Sequence, residues 1–185
     1  QCVFPARFNF LMQNLGLEIK KQNCLEFNEW KNSLQAKSVS LIFSSSYPNT
    51  PASLFGHTFL KLNSKGNDPN KKSDILDYGI NFAAATADSP GITYAFKGLF
   101  GGYAGLFSIA PYYTKLNEYI YSESRDVWEY ELDLSSSQVD KLVSHLWEIY
   151  HGSFFNYFYI DENCSFQILS LLEVANLDWE LINFH

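Results

Sequence analysis

No apolar run in the chain reaches the 18 or so residues that would carry a helix across a bilayer, so no transmembrane segment is expected. No basic-then-apolar leader opens the sequence either. It begins Gln1-Cys2 without a methionine, as expected of a product whose targeting segment has been removed. Cations are scarce: 13 Lys and Arg stand against 20 Asp and Glu, a net charge of −7. That balance argues against nucleic acid as a partner and against purely electrostatic adhesion to anionic lipid. The pair Lys71-Lys72 sits beside Asp68 and Asp74 and reads as a solvated turn. The four histidines, at 57, 145, 151 and 185, make no His-Glu-x-x-His and no short-spaced cluster with Cys or Asp, so no metal site is expected. A Gly-x-x-x-x-Gly-Lys-Ser/Thr phosphate loop is absent as well, and no cofactor is implied.

Aromatic residues, in contrast, are abundant: 16 Phe, 12 Tyr and 4 Trp make 17% of 185 residues. Such a load fills a core, lines an apolar cleft or makes peripheral contact with a membrane. The length suits one domain over residues 1–185, with 1–36 as a helical N-terminal segment. Cys2 and Cys24 bracket 23 residues within it. In an oxidising compartment they are expected to pair, the alternative being two free thiols.

Val39–Phe43 is a strand candidate, closed by a loop from Ser44 to Pro51 whose two prolines restrict the backbone. His57–Leu62 and Ile75–Phe82 read as the arms of an antiparallel hairpin. Between Asp88 and Tyr113, five glycines alternate with aromatics, as a cleft wall or lid would, or as two plain turns between strands would. Val127–Leu132 is a further strand candidate. Ser135 and Gln138 form a capping box, with Leu134 and Val139 at the staple positions, so a helix is predicted from Ser136 to about Tyr150. Val139, Leu142, Val143, Leu146, Trp147 and Tyr150 trace its apolar face. His145 and His151 fall outside that face and are expected at the surface without a catalytic role. A second helix is predicted from Cys164 to about Val174, capped by Asp161 or Asn163, with Ile168, Leu171 and Leu172 on the side of Cys164. Asn163-Cys164-Ser165 matches a glycosylation acceptor, but the match is expected to be accidental at a packed helix start.

The unpaired Cys164 therefore occupies a first helical turn, where unbonded N–H groups favour an anion. Buried small apolar residue is one reading of such a cysteine; nucleophile is the other. His57, on a strand, supplies the base that would activate it. It precedes Cys164 by 107 positions, the reverse of the papain order, so a papain-like reading must be a circularly permuted one. In a regular hairpin His57 would lie opposite Asn81, with Asp77 on the same sheet face. Asn81 is favoured over Asp77 as the group orienting the imidazole. The Cys164 N–H and a donor from the Ser44–Tyr47 loop could form an oxyanion site, or that loop is a solvated connection.

Six blocks, Cys2-Val3-Phe4-Pro5-Ala6-Arg7, Phe55-Gly56-His57-Thr58-Phe59-Leu60, Asp77–Ala84, Lys97–Tyr103, Arg125–Tyr130 and Glu162-Asn163-Cys164-Ser165, together resemble the bacterial N-terminal periplasmic domain of Lnb-type proteins. The resemblance implies an α+β, circularly permuted papain-like fold, with a central antiparallel sheet and packed helices, as in lecithin-retinol acyltransferase. It implies a periplasmic or otherwise extracytoplasmic location, with Cys164 as nucleophile and His57 as base. Lnb itself is a lipoprotein acyltransferase. The implied activity is therefore acyl transfer through a Cys thioester, on a lipoprotein, a lipid or another acylated envelope substrate. A cysteine peptidase or amidase acting on an envelope peptide, and a non-catalytic envelope binding module, are the alternatives.

Overall fold

The structure, a computed structural model, describes residues 1–47, 56–64, 76–85 and 92–182. Pro48–Pro51, the hairpin turn with Lys71 and Lys72, Asp88, Gly91 and His185 lie outside the described residues. Six strands, β1 (Ser38–Ser44), β2 (His57–Asn63), β3 (Tyr78–Ala84), β4 (Tyr103–Pro111), β5 (Val127–Glu131) and β6 (Phe155–Tyr157), form one antiparallel sheet in the order β5-β1-β2-β3-β4-β6. The helices are α1 (Pro5–Leu15), α2 (Leu25–Leu34), α3 (Ile92–Leu99), α4 (Tyr112–Asn117), α5 (Ser136–Gly152) and α6 (Cys164–Ala175). A π-helical turn, Glu118–Ser122, continues α4.

Strand alternation sorts the side chains into two buried layers. Val39, Leu60, Leu62, Ile80, Phe82 and Phe107 face α5 and α6. Ile42 and Phe59 point to the other face, where Tyr112 and Tyr119 from α4 and the π-helical turn cover them. Burial on both faces explains why β2 is buried at every residue after His57. It also places His57, Phe59 and Lys61 together on the smaller, more polar side.

α6 lies on β2 and β3, α5 packs on α6, and α1 packs on α5. α5 starts as expected, with the Ser135–Gln138 capping box formed and Leu134 and Val139 both in the core. One apolar position differs: Tyr150 is exposed and Ile149 is buried in its stead. His145 is half-buried within 3.8 Å of Glu148, and His151 is exposed, with its ring tilted against that of Trp147.

The N-terminal segment is stapled by the Cys2–Cys24 disulfide. Polar contacts near its start help hold it on α5. Trp147 Nε1 donates to the Cys2 carbonyl at 2.9 Å, and the buried Glu148 carboxylate takes the Arg7 N–H at 2.9 Å and the Arg7 guanidinium at 3.2 Å.

The described part of the aromatic, glycine-rich stretch is mostly regular structure. Part of it is α3, and β4 is a full strand of nine residues. Gly98 lets the helix rest on the Tyr159 ring, against which any Cβ would collide. No helix among the described residues is long and apolar enough to cross a membrane.

Candidate functional site: a buried thiol, an imidazole and a carboxamide

Asn163 caps α6: its Oδ1 accepts the N–H of Ser165 at 3.0 Å and of Phe166 at 3.3 Å. Its Nδ2 donates to the carbonyls of Tyr159 and Ile160, each at 3.3 Å, which folds the preceding turn under the helix. Of the two caps considered from the sequence, the structure uses Asn163. Cys164 is the first helical residue, a free thiol only 6% exposed. The Ser165 hydroxyl donates to Thr58 Oγ1 at 3.0 Å and ties this turn to the start of β2.

His57 opens β2. The residue before it, Gly56, has φ +85°, a conformation that suits glycine, and a Cβ there would stand 2.6 Å from the Ser44 carbonyl. Nε2 of His57 donates to Oδ1 of Asn81, leaving Nδ1 for the thiol, with which the ring is hydrogen-bonded. The ring stacks on Phe59 at 6.0 Å and tilts against Tyr119 at 6.1 Å.

The hairpin register differs from the regular one. Leu60 lies opposite Ile80, Lys61 opposite Gly79 and Leu62 opposite Tyr78, which shifts the pairing by two residues from a His57–Asn81 pair. A two-residue shift conserves the face, so Asn81 meets His57 as a diagonal neighbour. Asp77 does not reach the imidazole. It is buried four residues before Asn81, accepting the Ser64 N–H and hydroxyl at 2.9 and 3.0 Å and facing Lys61 Nζ at 3.4 Å.

Opposing effects set the thiol's acidity. Burial pushes the Cys164 pKa up, but the hydrogen bond and charge of His57, the Thr58 N–H and the Ser165 hydroxyl outweigh it and bring the thiol down to about 7. For His57, burial works against the charged ring, yet the bonds to Cys164 and Asn81 prevail and raise its pKa above the ordinary value. The two shifts have one meaning: near neutrality the arrangement can hold a thiolate beside an imidazolium.

A cleft of about 300 Å³ opens on the sulfur, lined by Gly56, Tyr157, Tyr159, Ile160, Asn163 and Ser165. Its Tyr159 wall is backed by α3, whose Gly98 carbonyl accepts the Tyr159 N–H at 2.9 Å. Phe96 and Phe100 of that segment pack on each other at 4.4 Å and stay largely exposed, as does Ile160 at the rim. A second cavity of about 330 Å³, beside Lys31, Gln35 and Asp140, holds no nucleophile.

Ser45 and Tyr47 of the Ser44–Tyr47 loop have partners in the segment around Arg125. The Ser45 N–H and hydroxyl are engaged by the Asp126 carbonyl and N–H. Tyr47 lies under the Arg125 guanidinium at 4.9 Å. Thr58, Tyr119 and Arg125 are site neighbours that the sequence reading passed over. The spacing of Tyr112, Leu116 and Tyr119, at i, i+4 and i+7, was the available signal for the helical layer that carries Tyr119.

Comparison with curated proteins and with solved structures gives no significant match. The family description "Lnb N-terminal periplasmic domain" matches residues 26–184, from α2 through the helix that bears Cys164. The chain belongs to the Lnb N-terminal periplasmic domain family, and its place is outside the bacterial cytoplasm.

Proposed function

We propose that this chain is a cysteine-dependent acyltransferase that works through a Cys164 thioester on a lipoprotein or another acylated envelope substrate. The observation that carries the reading is the line of Asn81, His57 and Cys164, with the thiol lowered to about 7 in a cleft. The Cys164 thiolate attacks the substrate's ester or amide carbonyl. The tetrahedral intermediate collapses as the His57 imidazolium gives its proton to the departing alcohol or amine, leaving the acyl group on sulfur. An acceptor amine then attacks the thioester, His57 takes its proton, and the thiolate is restored as the amide forms. Asn81 orients the ring throughout. The start of α6 offers the Cys164 N–H to the developing oxyanion.

The aromatic cleft wall, with Tyr157, Tyr159 and Ile160 backed by α3, supports an acyl chain in preference to a charged peptide. The chain order, strand histidine before helix-start cysteine, supports a circularly permuted papain-like arrangement within one domain spanning 1–185. Intact mass measured after incubation with an activated long-chain acyl ester tests the reading. One hydroxylamine-labile acyl adduct is expected, lost in Cys164→Ala and strongly slowed in His57→Ala. No adduct from lipid, lipoprotein or peptide esters would leave a binding module. Amide cleavage with water as the acceptor and no lipid dependence would make it an envelope peptidase or amidase.

A further inference from the structure

We propose that Arg125 is a positioning residue for this site, bracing the imidazole of His57 through Ser44 and Tyr119. The inference rests on the thiol–imidazole reading above and adds a residue to it.

Arg125 is 6% exposed, an unusual place for a guanidinium, and it stands where three strand ends meet. It precedes β5 by two residues. Ser44 ends β1, paired with Val127 on one side and His57 on the other. Nη1 of Arg125 donates to Ser44 Oγ and to the Ser45 carbonyl, both at 3.4 Å, and the Ser44 hydroxyl donates to the His57 carbonyl at 3.4 Å. The guanidinium carbon lies 5.2 Å from the Tyr119 ring centre, and that ring is the one tilted against His57. Glu123 balances the charge at 2.7 Å. One planar cation thus touches the carbonyl relay behind His57 and the ring beside it.

Two backbone irregularities on the same short segment create this arrangement. Tyr119 sits in the π-helical turn, and Ser124, just before Arg125, has φ +51°. Both conformations cost free energy, and such features concentrate where side chains must be aimed. The Arg125 N–H, bonded to the Tyr119 carbonyl at 2.9 Å, closes the loop between them. A salt bridge needed only for stability requires neither a strained backbone nor contact with the ring that flanks His57.

The titratable and charged groups around His57 are Cys164 on α6, Tyr119 on the π-helical turn and Arg125, with Glu123 behind it. The full chain is tested as Arg125→Met, Arg125→Lys and Ser44→Ala, reading the Cys164 alkylation rate against pH, the His57 titration by NMR and the melting temperature. Arg125→Met is expected to slow alkylation about 10- to 100-fold, the scale of a small misplacement. It should also move the His57 titration to higher pH, because a neighbouring positive charge is gone. Arg125→Lys keeps the charge and loses the fork, so it should slow the reaction and leave the titration in place. Ser44→Ala should do the same. A wild-type alkylation profile in Arg125→Met, or in Arg125→Lys if the first does not fold, overturns the proposal whatever the melting temperature. If instead His57→Ala alkylates like the wild type, the thiol–imidazole reading is the one that falls.

Discussion

At the scale of single residues, acidity is where burial and partners oppose each other most directly. Cys164 deprotonates on raising the pH through about 7, so its alkylation by iodoacetamide should climb through that value and level off above it. Removing His57 leaves the burial effect with little to oppose it. The thiol of His57→Ala should then titrate at or above the ordinary ~8.5 of a free cysteine, with alkylation at pH 7 falling about tenfold. A His57→Ala midpoint that stays near 7 would show that the helix start alone sets the acidity. Asn81 and Asp77, the two candidates for orienting His57, with Asn81 favoured from the sequence, now separate. Asn81→Ala should slow the alkylation of Cys164 with little loss of stability. Asp77→Ala should leave the thiol alone and destabilise the fold by about 3 kcal/mol, because Lys61 keeps one carboxylate partner, Glu129, inside the protein. Urea melts and alkylation rates on the two variants decide between these roles. The face shared by His57 and Asn81 was legible in the sequence because strand alternation survives any even register shift. Their diagonal geometry was not, since the turn that sets the register carries no local rule for its length.

At the scale of elements, helix starts were the most readable parts. Ser135, Gln138, Leu134 and Val139 name the beginning of α5 outright, because capping is a local matter of hydrogen bonds and short-range packing. Ser135→Ala should therefore cost about 1 kcal/mol in a urea melt, with the acidity of Cys164 unchanged. α3 and β6 were hidden for the opposite reason. The first is a helix whose Gly98 is chosen by the Tyr159 ring of a distant turn, and the second is a three-residue strand that exists only by pairing with β4. Neither fact is encoded nearby. Gly56 offers the sharpest element-level test. Gly56→Ala strains a φ of +85° and drives a methyl against the Ser44 carbonyl and the Phe43 ring, so the start of β2 must shift. A loss of more than 1 kcal/mol is expected, together with an alkylation profile moved toward that of His57→Ala. Loss of stability with an unmoved profile would mean that the strand start tolerates the shift without disturbing the imidazole.

At the scale of the whole molecule, the N-terminal staple and the reactive cysteine are separate. The disulfide joins residues 22 apart in sequence, in a segment that rests on α5, while Cys164 begins the helix on the far side of that layer. Replacing Cys2 and Cys24 by serine should lower stability by about 3 kcal/mol on the loop-entropy account. The same variant should keep the wild-type alkylation profile of Cys164. A changed profile would show that α1 reaches the site through α5.

The acidity of Cys164 has a consequence for how the protein can be counted. Its partners His57 and Thr58 come from β2 and Ser165 from the start of α6, so no stretch of the unfolded chain brings them all to the sulfur. Before the sheet closes, the cysteine is an ordinary thiol, almost unreactive at pH 6.5 to 7. Fast labelling at that pH is therefore a property of the native molecule alone. A mild electrophile applied briefly in this range reports the fraction of a preparation that has folded, molecule by molecule, without any knowledge of the substrate.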